Sequence, residues 1–175
     1  MKLFLKKLPL PICGLILGIA SLGNLFKAIG LPVIGNIWGI LALVLILLVI
    51  AKIGVHFKLS LNDLNDPIIA SVAPTFTMSL MIISTFLKSW GLPVLPTAVW
   101  TFAVILQFVI MGYFIYRHLL RPTVELDHVY PSWFVTFVGI GVIPVTANNF
   151  IPALWTPVLW LSLGLYAILL PIVCI

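Results

Sequence analysis

The stretch PVIGNIWGILALVLILLVIA, Pro32 to Ala51, decides what kind of protein this is. It runs for 20 residues without a charge, and Asn36 is its one amide or hydroxyl side chain. At about 1.5 Å per residue such a helix is about 30 Å long, the thickness of the hydrocarbon core of a bilayer. Five more stretches of the same kind flank it, at about Pro9 to Phe26, Pro67 to Leu87, Val94 to Tyr116, Pro131 to Asn148 and Pro152 to Val173. The whole chain of 175 residues is 63% hydrophobic and 7% charged. A water-soluble surface needs far more charge than that, about 25% in an ordinary domain. Composition therefore excludes a soluble enzyme, a disordered chain and a nucleic-acid-binding module. The expected fold is an all-α polytopic membrane protein of six transmembrane helices.

The breaks between spans set the topology. Gly30-Leu31-Pro32, Trp90-Gly91-Leu92-Pro93 and Asn148-Asn149-Phe150-Ile151-Pro152 are short turns, whereas Lys52 to Asp66 and Arg117 to Tyr130 are longer polar linkers. Three helical hairpins follow, over 9–51, 67–116 and 131–173, in a single transmembrane domain. They read as a repeat. Pro11, Pro67 and Pro131 start successive hairpins, and Lys27-Ala-Ile-Gly-Leu-Pro32 is echoed by Lys88-Ser-Trp-Gly-Leu-Pro93. The first apolar run continues past any small-residue cleavage site, so it reads as a retained span and not a signal peptide.

Net charge is +5. The N-terminus and long linkers hold Lys2, Lys6, Lys7, Lys52, Lys58, Arg117 and Arg121, and the short-turn side holds only Lys27 and Lys88. Basic residues mark the cytoplasmic side. A multi-pass protein of the plasma or inner membrane with a cytoplasmic N-terminus is expected.

Odd and even spans differ. The even ones carry long aliphatic runs, Ile40 to Ile50, Ala98 to Met111 and Val158 to Leu170, suited to lipid. The odd ones carry small and hydroxyl residues with proline: Gly14, Gly18 and Ser21; Ser71, Pro74, Thr75 and Ser79; Thr136, Gly139 and Pro144. Proline frees a backbone carbonyl, which is tolerated at membrane depth only against protein or water. An inner ring of odd helices lining a path is expected, and these ten residues are its candidate lining. Plain helix packing by small residues is the competing explanation.

No Asp, Glu, Lys, Arg or His falls within a predicted span, which speaks against a proton pump and for passive permeation. His56, His118 and His128 sit in linkers, and His118 and His128 flank Glu125 and Asp127 without a metal-ligand spacing. Cys13 and Cys174 lie in apolar runs. No catalytic residue, metal site or cofactor is expected. Gln107, the one amide well inside a span, is expected to bond a neighbouring helix, and Gly14-x-x-x-Gly18 and Gly35-x-x-x-Gly39 match a helix-contact pattern.

Three segments together carry a family resemblance. Asp66-Pro-Ile-Ile-Ala-Ser-Val-Ala-Pro-Thr-Phe-Thr-Met-Ser-Leu80 resembles the third helix of the tellurite-resistance/dicarboxylate transporter family, which includes plant slow anion channels and the bacterial tellurite-resistance protein A. Pro9 to Leu22 resembles its first helix and Tyr130 to Pro144 its fifth. The resemblance implies ten helices in five hairpins around a central pore, odd helices inside, in a homotrimer, passing anions such as chloride, nitrate, sulfite or malate. Six helices correspond to the N-terminal three-fifths of that fold, and nothing here matches the phenylalanine that plugs the family's pore from the ninth helix. The chain thus reads as part of an anion channel or carrier. A non-conducting fragment that assembles with other chains, and an integral-membrane enzyme using the His118–His128 linker, are the alternatives.

Overall fold

A computed structural model of the protein describes residues 9–58, 62, 64, 66–119 and 133–174. Among them every regular element is helical. The first span is α1 (Ile12–Ala28) and the second α2 (Pro32–Val55). The third is α3 (Pro67–Val72) followed, after a break at Ala73, by α4 (Pro74–Ser89). The fourth is α5 (Leu95–Phe114), ending in a π-helical turn, Ile115–Leu119. The fifth is α6 (Trp133–Val138), a 3-10 turn (Gly139–Gly141) and α7 (Val142–Ala147). A 3-10 turn (Pro152–Leu154) leads into the sixth, α8 (Trp155–Cys174).

Four segments are long and apolar enough to cross a membrane: Pro32–Val55, Ile69–Ser89, Leu95–Arg117 and Pro152–Pro171. The protein is a polytopic membrane protein. The first and fifth spans are shorter than expected, at Ile12–Ala28 and Trp133–Ala147, or about 25 and 22 Å at the usual rise per residue. Lys2, Lys6, Lys7, Asp63, Arg121, Glu125, Asp127, His128 and Pro131 lie outside the described residues.

The turn repeat has a structural cause. Gly30 and Gly91 each adopt a φ of 86°. A side chain would strain the backbone there, and glycine does not. Leu31 N–H donates to the Phe26 carbonyl and Gly30 N–H to that of Lys27, at 2.8 and 3.2 Å; Leu92 and Gly91 repeat the pair on Leu87 and Lys88, at 3.4 and 3.1 Å. Both are Schellman caps; Pro32 restarts the chain as a helix directly after the first, and after the second the helix restarts at Leu95 with Pro96 in its first turn. The third hairpin turns without glycine, on bonds from Asn149 to Thr146 and Phe150 to Ala147.

Each even helix packs on its hairpin partner, while α1 packs on α4, and α3 and α4 pack on α6 and α7. The third span lies between the first and the fifth. It is 67% buried, against 28%, 22% and 17% for the second, fourth and sixth. The even helices leave long aliphatic faces bare, among them Ile40, Val44 and Leu47 on α2 and Phe102, Ile105 and Val109 on α5. The second span departs from expectation at its end. The sequence places Lys52 in the linker, but α2 continues to Val55, and Lys52 closes a buried line of Gly35, Gly39, Ala42, Ile46 and Val49. A lysine stem is apolar enough to extend such a face, which is why the helix does not stop at the charge.

Candidate permeation path

The third span is interrupted near its start and the fifth halfway, and the interrupted segments pack against each other. Pro74 has no N–H, so the backbone ladder of the third span is broken at Ala73. Gly139 to Gly141 tighten the fifth span into a 3-10 turn. Broken ladders leave carbonyls that must find donors, because bilayer hydrocarbon offers none. Side-chain hydroxyls supply them. Thr75 Oγ1 donates to the Val72 carbonyl at 2.8 Å and Thr77 Oγ1 to that of Pro74 at 2.7 Å. Across the helix contact, Thr136 Oγ1 donates to the Ser71 carbonyl at 3.0 Å, and Ser162 Oγ of α8 donates to that of Val138 at 3.3 Å. Ser79 Oγ lies within reach of the Thr75 and Cys13 carbonyls, at 2.6 and 3.3 Å.

The ten candidate residues separate into two sets. Ser71, Pro74, Thr75 and Ser79 of the third span and Thr136, Gly139 and Pro144 of the fifth are buried between helices. A Cβ at Gly139 would stand 2.9 Å from Met78 Sδ, so the end of the Met78 side chain occupies the space beside this glycine. Gly14, Gly18 and Ser21 belong to the other set. Gly18 and Ser21 are exposed, and no atom approaches within 4 Å of a Cβ built at Gly14 or Gly18. Their side of α1 is open and also carries Leu15 and Leu25.

The other G-x-x-x-G pair is used inside the chain. Gly23 and Gly35 bring α1 and α2 together backbone to backbone, and Gly39 receives the ring of Phe86. Gln107 reaches the third span as expected, its Oε1 sharing the single Thr77 hydroxyl proton with the Pro74 carbonyl. Its Nε2 finds no hydrogen-bond partner among the described residues. An orphan donor at that depth costs about 1–3 kcal/mol, and Thr77 keeps the Pro74 carbonyl without it. Gln107→Leu should therefore hold or raise the melting temperature in detergent, and Gln107→Glu should lower it sharply. Equal losses in both variants would mean that Nε2 is satisfied.

A profile of the family described as voltage-dependent anion channel (SLAC1) matches residues 7–175. The chain belongs to that family. It is 24% identical over 148 residues to the uncharacterized transporter MJ0762 of Methanocaldococcus jannaschii, covering 78% of this chain and 42% of that one. It is 27% identical over 99 residues to the uncharacterized transporter MJ0576 of the same organism, covering 54% of this chain and 28% of that one. The chain thus spans less than half the length of these curated relatives. No solved structure matches it.

In this member of the anion channel family the sequence reading missed one repeated device. Lys27 Nζ donates to Ser89 Oγ and lies 4.6 Å above the Phe86 ring; Lys88 Nζ donates to the Asn149 carbonyl and lies 5.0 Å from the Phe150 ring. Each lysine thus ties its own hairpin to the next. The signal is present in the two equivalent Lys-x-x-Gly-Leu-Pro turns, which the sequence marks as a repeat without showing what each lysine reaches. Nearby, Trp100 Nε1 donates to Thr146 Oγ1 at 2.8 Å and its ring stacks on Phe150. Lys27→Met and Lys88→Met keep the stem and remove the charge. Each should cost about 0.5–1 kcal/mol, the worth of a cation–π contact at an exposed site. Chemical unfolding in mixed micelles would measure it, and an unchanged midpoint would leave the lysines with no clamping role.

Proposed function

We propose that this chain forms part of a membrane path for small anions or organic acids of the chloride, nitrate, sulfite or malate kind, lined by the odd-numbered helices. The observation that carries the reading is the convergence of polar groups on the two interrupted odd spans, in a chain of the anion channel family. Membership of a family whose relatives are named transporters also favours transport over catalysis.

Each hydroxyl has one proton, and here a carbonyl holds it. Binding an anion means turning that proton away from the carbonyl. The exchange is close to balanced because an anion is the stronger acceptor. The buried Lys52 at one end of the second span favours anions over cations. The cytoplasmic N-terminus and the homotrimer belong to the same proposal. In a full-length context, Thr75→Leu with Thr136→Leu should abolish anion flux in proteoliposomes. Unchanged flux would remove both residues from the path.

A second reading, that these helices are completed by further helices or another chain, is favoured by the open face at Gly14, Gly18 and Ser21. The detergent-solubilised mass tests it: a trimer or a complementing chain supports it, and a lone monomer opposes it.

A further inference from the structure

A large cavity lies against the third span at its break, Ala73, and takes no residue from the fifth. It is a crevice of about 610 Å³ between the first two hairpins, walled by Ile53 of α2 and Phe57 just beyond it, and by Phe102 and Ile110 of α5, with Phe76 and Leu80 of α4 beneath. Its surface is carbon almost throughout. Phe57 and Phe102 are both more than half exposed, so it opens sideways at these two rings. A pore for anions does not have such a lining, and this crevice has a separate purpose.

Its dimensions select the occupant. The crevice follows α5 from Val99 to Ile110. Eleven residues of helix rise about 16 Å, roughly half of a hydrocarbon core about 30 Å thick, or one leaflet. A groove of about 610 Å³ over that length, lined by carbon and open to the side, has room for one acyl chain. The ends of the crevice differ in charge. At the linker side the chain runs on beyond the end of α2, past Phe57 to the exposed Lys58, and the fourth span runs on past Ile110 to Arg117 in its π-helical turn. The exposed Asp66 is on that side too. Lys58 and Arg117 against Asp66 leave one net positive charge at this end, which favours an anionic lipid by about 1 kcal/mol near a membrane surface.

We propose that the crevice binds one anionic phospholipid of the linker-side leaflet, its acyl tail along α5 and its phosphate at the end marked by Lys58 and Arg117. The lipid would fill the gap between the first and second hairpins, sealing a seam that protein leaves open.

The test uses the full chain in vesicles of phosphatidylcholine with phosphatidylglycerol. A trace of either lipid carries a diazirine at the end of one acyl chain, and labelled peptides are mapped by mass spectrometry. The bare face of α8 at Trp160 and Ile168 reports ordinary lipid contact. The phosphatidylglycerol probe should label Phe76 and the Phe102–Ile110 segment several-fold above α8, and above the phosphatidylcholine probe. Lys58→Gln with Arg117→Gln should erase the preference between headgroups. Leu106→Trp should empty the crevice of label and leave α8 labelling unchanged, which also shows that the variant is folded. Equal labelling of crevice and α8 by both probes would reduce the occupant to ordinary surrounding lipid and overturn the proposal. Cross-links from Phe102 to a second copy of the chain would overturn it in favour of a protein contact. None of these outcomes depends on whether anions permeate.

Discussion

Valine at Gly35 is expected to cost about 3 kcal/mol or more, the upper end for forcing extra carbon into a packed interior. A Cβ at this position would stand 2.5 Å from Lys27 Cγ and 2.6 Å from the Gly23 carbonyl oxygen. The lysine stem can swing aside. The carbonyl is helix backbone and cannot move without carrying α1 with it. The same constraint acts in reverse, since a Cβ at Gly23 would stand 2.9 Å from the Gly35 oxygen. Helices in lipid gain no hydrophobic drive from meeting each other and depend on close packing. Separating α1 from α2 therefore removes the main attraction within the first hairpin. Loss of the folded fraction in a thermal scan, with Gly14→Val and Gly18→Val near wild type, is the expected result. All four glycines stand in G-x-x-x-G pairs or beside one. If Gly35→Val melted with Gly18→Val, the helix contact described here would not exist.

That comparison shows where the sequence was legible. Helix length and the glycine-capped turns are local properties, fixed by a run of apolar residues and by a backbone angle that favours glycine. Although the first and fifth helices are shorter than expected, the apolar helices and the two glycine turns read correctly in advance. The glycine pairs did not, because Gly14-x-x-x-Gly18 and Gly35-x-x-x-Gly39 are the same pattern, and only the fold decides that the second meets Gly23 and Phe86 while the first faces open space. The hydroxyls are a similar case. Pro74 announced a broken ladder, but the donor that serves the Ser71 carbonyl comes from Thr136, 65 residues away. The end of the second span was misplaced because charge was taken as the boundary, whereas Lys52 is accommodated inside the helix face. Lys27 and Lys88 were counted for orientation, and nothing local to them shows that each reaches the following hairpin.

Phe86 joins these local and distant features, and its truncation is the second large effect. Its ring is 1% exposed and fills the hollow left by Gly39, with Lys27 above it and Trp90 tilted against it at 6.2 Å. In a water-soluble core Phe→Ala costs about 3–5 kcal/mol. Here the unfolded chain remains in lipid, so the transfer share drops out, and the cavity and the lost cation–π contact remain. About half of the soluble figure is expected for Phe86→Ala, read as a shift in the unfolding midpoint in mixed micelles. The partner change makes the assignment specific. A Cβ at Gly39 would stand 2.5 Å from Phe86 Cδ1, so Gly39→Ala alone is destabilising through the ring. Once the ring is gone, that methyl enters empty space. Gly39→Ala combined with Phe86→Ala should therefore cost less than the sum of the two, with a coupling of at least about 1 kcal/mol for residues in direct contact. Strict additivity would mean that the ring does not rest on Gly39, and the second hairpin would then be held to the first by something other than this ring and the lysine above it.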